Sequence, residues 1–177
     1  MALVEIEVLV VIDTNYIFKN YQNPSRDASK PTGINHSSQY MITNSQRGIV
    51  SGQGTADLSF KANVGDIVSF VGTSIEANSD SAVIIYGINH WSGDKVFNQF
   101  VPNLITRNRA VMPNNTTPNG LPAVQQQINF ASFDAKVSRS GKENFYVNIA
   151  VYKLADDGQA QDLYGYFYWD PTITVPA

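Results

Sequence analysis

Glu143-Asn-Phe-Tyr-Val-Asn-Ile-Ala-Val-Tyr-Lys-Leu154 is followed by Ala-Asp-Asp-Gly158 and then by Gln161-Asp-Leu-Tyr-Gly-Tyr-Phe-Tyr-Trp169. In the first run Phe145, Val147, Ile149 and Val151 recur every second residue, which is the period of a strand with one face in a core. Asp156-Asp157-Gly158 is a turn of the kind that needs a left-handed residue, so the second run folds back as a hairpin partner. There Leu163, Gly165, Phe167 and Trp169 share one face, and Tyr164, Tyr166 and Tyr168 share the other. With Tyr146 and Tyr152 opposite the aliphatic face of the first strand, the pairing predicts a tyrosine-rich patch. These five tyrosines are the candidate ligand or interface residues, because a phenol ring both stacks and hydrogen-bonds. The competing expectation is a second packed layer with the hydroxyls at its rim. Phe167 and Trp169 are expected as core anchors, with Pro171 limiting the strand.

The same period runs outward through the chain. Leu3 to Ile12 is rich in β-branched residues. It alternates with Glu5 and Glu7, then becomes apolar on both faces from Val8 to Ile12, as in a central strand covered twice. Gln39 to Thr43 is a short strand. Asp57 to Ala62 and Ile67 to Ile75, joined by Asn63-Val64-Gly65-Asp66, read as a hairpin. Ala82 to Ile88 reads as a buried strand, Lys95 to Val101 alternates, and Val124 to Arg139 is a long strand or a bent pair. Ser140-Gly141-Lys142 reads as a hairpin turn, and Ile173 to Val175 as a short terminal strand. Residues 20–37, 44–55 and 102–122 read as loops, the last with a short strand at Leu104 to Met112. No segment shows a helical period. The expectation is an all-β antiparallel sandwich, jelly-roll or immunoglobulin-like, of nine or ten strands with long loops, forming one domain over residues 1–177.

The bulk numbers narrow the chemistry. The chain has 177 residues, 43% hydrophobic and 11% aromatic. That is enough for an unstapled core, since a domain of this length buries roughly 70% of its unfolded surface. Charged residues are only 15% and the net charge is −3, with a pI of about 5.2. Such a surface does not attract nucleic acid or anionic membrane, and it repels its own copies weakly. There is no cysteine, hence no disulfide, thiolate nucleophile or thiolate metal site. The apolar N-terminus lacks a basic start and a cleavage site and is too short to span a bilayer, so a cytoplasmic location is expected.

Catalytic signatures are not found. The two histidines, His36 and His90, read as loop residues with local hydrogen bonds, and no spacing between them suits a metal. Ser51-Gly52-Gln53-Gly54 has neither the order of a nucleophile elbow nor the third glycine of a dinucleotide loop. Asp156-Asp157-Gly158 lacks the alternating ligands of a calcium loop. No catalytic, cofactor or metal residues are assigned, and the chain is not expected to be an enzyme.

Several segments then carry a resemblance: Val8-Leu-Val-Val-Ile-Asp-Thr14, Pro24-Ser25, Pro31-Thr-Gly-Ile34, Gln39-Tyr-Met-Ile42, Ser51-Gly-Gln-Gly-Thr-Ala-Asp-Leu58, Val64-Gly-Asp66, Val83-Ile-Ile-Tyr-Gly87 and Tyr164-Gly-Tyr-Phe-Tyr-Trp-Asp-Pro-Thr-Ile-Thr-Val175. In this order they span nearly the whole chain, and together they resemble the PixA/AidA family of bacterial inclusion-body proteins. The resemblance implies a self-associating structural or storage protein of a host-associated bacterium, cytoplasmic and packed in inclusions, with no catalytic residues to carry over. The founding member is methionine-rich, whereas this chain has 3 Met, which sets a sulfur-storage role aside. The implied partner is a second copy, as homodimer or higher oligomer. The alternative is a glycan- or small-ligand-binding module, with a glycan or host protein on its aromatic face.

Overall fold

The computed structural model describes residues 2–177. In chain order the elements are β1 (Glu5–Ile12), α1 (Thr14–Asn20), β2 (Thr32–Gly33), β3 (Gln39–Thr43), β4 (Ile49–Ser51), β5 (Leu58–Phe60), β6 (Ile67–Ser74), β7 (Ala82–Gly93), β8 (Val101–Met112), β9 (Val124–Lys136), β10 (Gly141–Leu154), β11 (Gln161–Trp169) and β12 (Thr172–Val175). They form two sheets that are not closed into a barrel. The first runs β3-β1-β6-β9-β8. In the second, β10 pairs on one side with β7 and on the other with β11 and then β12. β2 adds to β11, β5 to β12, and β4 to β5.

The alternation that opened the sequence builds the centre of this fold. Phe145, Val147, Ile149 and Val151 of β10 are buried with Phe167 and Trp169 of β11, against Ile6, Val8, Val10 and Ile12 of β1. One cluster of buried side chains therefore joins both sheets, as expected when two strand faces of period two meet.

Several expectations need correction. The sheets are mixed rather than antiparallel: β1 runs parallel to β6, β2 to β11 and β5 to β12. The fold is sandwich-like, without a clear jelly-roll or immunoglobulin pattern, and has twelve strands among the described residues. The runs read as a hairpin at 57–75 place β5 and β6 in different sheets, and Ser140-Gly141 likewise carries the chain from one sheet to the other. Residues 94–100 form no strand beyond a single bridge at Phe97. The outer face of β1 is open, with Leu9 exposed and Val11 half-buried. β7 runs on to Gly93 and exposes Ile84. The loop at 44–55 contains β4, and the short strand expected at Leu104 to Met112 is present, starting three residues earlier, as the twelve-residue β8.

A short helix, α1, also went unpredicted. Asp13 caps it by accepting from the backbone N–H of Tyr16 at 2.9 Å, the usual role of aspartate at that position. Seven residues are too few to display a 3.6-residue period, and only Thr14 and Ile17 are buried.

An ion pair fixes the start of β1. Asp66, fully buried, accepts from the Arg47 guanidinium, from the Asn63 backbone N–H at 2.7 Å and from the Val4 backbone N–H at 3.1 Å. The Arg47 hydrogen bonds outweigh desolvation and hold the Asp66 carboxyl at about 2. A carboxyl held below its unfolded value near ~3.9 gives stability that is complete above that pH and is lost as pH falls toward 2. We expect this group to contribute about 2 kcal/mol in that window. Urea titrations from neutral pH downward should show the loss, and Asp66→Asn should flatten it while lowering stability at neutral pH. An unchanged acid limb in the variant would contradict this.

Candidate functional site

The outer face of the second sheet is built from neighbouring residues on three strands. Tyr168 of β11 lies opposite Asn148 of β10, which lies opposite Gly87 of β7, and Tyr146 lies opposite Asn89. Trp91, two residues beyond Asn89, lies on the same face, unpaired at the register shift between Asn144 and Phe145. There Trp91 stacks on Tyr146 at 5.5 Å with 12° between the planes, and Tyr146 meets Tyr168 edge-on at 5.1 Å. Pro31, Asn89, Tyr146, Asn148 and Tyr168 line a shallow depression of about 300 Å³. Trp91 is 44% exposed and Tyr146 is 37% exposed, so the aromatic platform faces solvent with two amides beside it.

Of the five tyrosines expected together, Tyr146, Tyr166 and Tyr168 share this face. Tyr166 is edge-on to Tyr86 at 5.5 Å, and the Tyr86 hydroxyl donates to the Ala28 carbonyl at 2.9 Å. The 24–31 segment therefore lies over that end, and only the Trp91–Tyr146–Tyr168 end is open. Tyr164 does not belong to the patch. A bulge beside Val151 and Tyr152 breaks the alternation, and Tyr164 turns under α1, edge-on to Phe18 at 4.7 Å, with its hydroxyl donating to the Tyr21 carbonyl. Tyr152, paired with Leu163 beyond the bulge, has no ring contact with the platform. Sequence reasoning missed Trp91, Tyr86 and the two asparagines; the alternation of Asn89 and Trp91 past the apolar run of β7 was the available signal.

A second cleft, of about 320 Å³, lies beneath β7 and is lined by His90, Lys95, Phe97, Gln99, Glu143 and neighbours. His90 is a strand residue, not a loop one. Its Nδ1 donates to Glu143 Oε1 at 2.8 Å. Glu143 Oε2 accepts from the backbone N–H groups of Val96 at 2.7 Å and Phe97 at 3.0 Å. The carboxylate is thus committed to holding residues 94–97, and no hydroxyl or thiol lines the cleft to act as a nucleophile. His36 sits between Asp57, 3.4 Å away, and Asp170, 3.2 Å away. Asp57 also accepts from the Thr172 N–H at 2.7 Å, so this cluster ties the 51–57 loop to the β11–β12 junction. Among the described residues no group of three His, Cys, Asp or Glu is placed to hold a metal ion. No helix among them is long and apolar enough to cross a membrane.

The family model of the PixA inclusion body proteins matches residues 4–175. The chain belongs to the PixA inclusion body protein family. A crystal structure of a PixA inclusion body protein from Burkholderia cenocepacia J2315 is similar over 99% of this chain and 97% of that one, at 31% identity and a TM-score of 0.80. No curated protein matches this chain. The family is a structural one, and the open two-sheet arrangement extends to its crystallised member.

Proposed function

We propose that this PixA-family chain is a non-enzymatic, self-associating structural or storage protein, cytoplasmic and laid down in inclusions of a host-associated bacterium. Family membership over residues 4–175 carries the reading. The surface supports it physically. It combines a net charge of −3 and 15% charged residues with large exposed side chains such as Leu104, Val111, Ile105 and Phe130. Weak mutual repulsion and solvent-facing apolar groups together favour association of identical copies at high concentration. Thin sections of cells producing the untagged chain should show dense bodies that fractionate with it. A chain that stays wholly in the soluble fraction at high abundance would overturn the reading.

A second reading is favoured by one arrangement: the Trp91–Tyr146–Tyr168 platform flanked by Asn89 and Asn148. Flat rings beside amides suit the apolar face and hydroxyls of a sugar. A glycan array should then return ligands whose binding weakens about tenfold or more in Trp91→Ala. Because Trp91 is half-exposed, the fold should survive the substitution. Equal binding by the variant, or no bound glycan, would dismiss this reading.

A further inference from the structure

Beyond its root, where Phe133 and Ala135 of β9 reach the core, the β8–β9 ribbon contributes nothing to the core of its own chain. No residue from 101 to 134 is buried. β6 pairs with β9 only from Ile67↔Lys136 to Phe70↔Phe133, so beyond Phe133 the two strands leave the sheet with only each other as partner. A two-stranded ribbon in water is marginal on its own, and ordering its residues costs about 1–2 kcal/mol each. Yet its sequence is patterned for burial. Asn103, Ile105 and Arg107 of β8 lie opposite Ser132, Phe130 and Ile128 of β9, and the intervening β9 positions are Gln127, Asn129 and Ala131. One face therefore carries Ile105, Phe130 and Ile128 together, between Asn103 and Ser132 at one end and Arg107 at the other, and Phe130 on it is 48% exposed.

That face continues onto the outer side of the first sheet. Glu5, Glu7, Ser69, Val71, Asn103, Ile105, Phe130 and neighbours line a groove of about 200 Å³. Glu7, Ser69 and Asp134 form one row across β1, β6 and β9, with exposed Leu9 and Ile42 further along. None of the three carboxylates Glu5, Glu7 and Asp134 has an ion pair among the described residues. Lys136 lies across Ile67 from Glu5 without bridging to it. Burial, then Glu5 and Asp134, push the Glu7 carboxyl up. Arg107 cannot relieve this within its own chain: it lies six strand positions beyond the Glu7 row, roughly 20 Å along the strands.

From these observations, and resting on the self-association reading above, we infer that the ribbon of one chain lies across the outer face of the first sheet of a second copy, in a two-fold exchange that sets Arg107 against the partner's carboxylate row. Two features oppose the alternative of strand addition along the free edge of β8. Pro102 lacks an N–H, and a bulge between Arg107 and Ala110 breaks the edge, both of which block edge pairing. The area is sufficient. A twelve-residue ribbon is ~40 Å long and ~10 Å wide. Covering one face, the surface beneath it and the symmetric pair buries roughly 1,600 Å², the size of an ordinary stable interface.

The test is a charge exchange read by size-exclusion chromatography with light scattering. Arg107→Glu, and separately Glu5→Lys with Glu7→Lys, should each weaken dimerisation about a hundredfold. Each should keep the wild-type melting temperature of the monomer, since all three side chains are exposed. Mixing the two variants restores opposite charges at both halves of a two-fold exchange, so the mixture should dimerise again. Phe130→Ser should weaken the dimer without being rescued by mixing. A wild-type dimer that all of these variants leave intact would overturn the ribbon exchange while leaving self-association standing. A wild-type monomer at every concentration would overturn both.

Discussion

Trp169→Ala is expected to lower stability by about 3–5 kcal/mol, the range for removing a fully buried large aromatic ring. For a domain of this size that corresponds to a fall of about 10 °C or more in melting temperature. Trp169 is 0% exposed and lies opposite Val147 at the end of β11, immediately before Asp170-Pro171 bends the chain into β12. Its loss would open a cavity where the β10–β11 and β10–β12 pairings join. The indole N–H meets no acceptor among the described residues, so packing holds the ring. Trp169→Phe should therefore keep a substantial part of the stability that alanine loses. A thermal melt of Trp169→Ala indistinguishable from the wild type would show that the ring is not an anchor.

Glu143→Ala is expected to cost roughly 2–5 kcal/mol. It would leave the N–H groups of Val96 and Phe97, both in buried residues, without their acceptor, at about 1–3 kcal/mol each. It would also free His90. Glu143→Gln retains one carbonyl oxygen for the two N–H groups, so a milder loss of about 1 kcal/mol is expected. Hydrogen exchange at Val96 and Phe97 should rise sharply in the alanine variant. If exchange there is unchanged, the carboxylate is not the clamp that fixes residues 94–97.

The alternation in 143–154 and 161–169 located the central hairpin and its buried face correctly because both strands lie across a single core. Residues that depart from period two were misread where a local device interrupts it. Gly165 marks such a place: a Cβ there would meet Pro24 at 2.6 Å, and the neighbouring bulge sends Tyr164 to the opposite side from Tyr166. Glycine inside a strand is a known sign of close approach or a bulge, so that signal was present. Partner choice was not legible. The parallel pairings β1–β6 and β5–β12 join segments far apart in sequence, and a strand's period says which face is buried, never beside which strand. The two strands of the ribbon were legible, as a short strand at Leu104 to Met112 and a long one from Val124, and only their pairing into a ribbon that leaves the sheet was not.

The platform was half legible. Tyr146, Tyr166 and Tyr168 followed from the period, whereas Trp91 alternates with Asn89 beyond Ile88, where the strand was expected to end. The loop at 24–31 that covers Tyr86 and Tyr166 is positioned by long-range contacts, Ser25 with Tyr166 and Thr32 with Phe167, which no local pattern encodes.

Sedimentation velocity of the purified chain, followed from micromolar toward millimolar concentration, tests most directly whether this is a self-associating protein. A dimer with twice the 19.5 kDa mass of one chain is expected, joined by larger species as concentration rises. A single sharp boundary at 19.5 kDa, unchanged across the whole range, would contradict it.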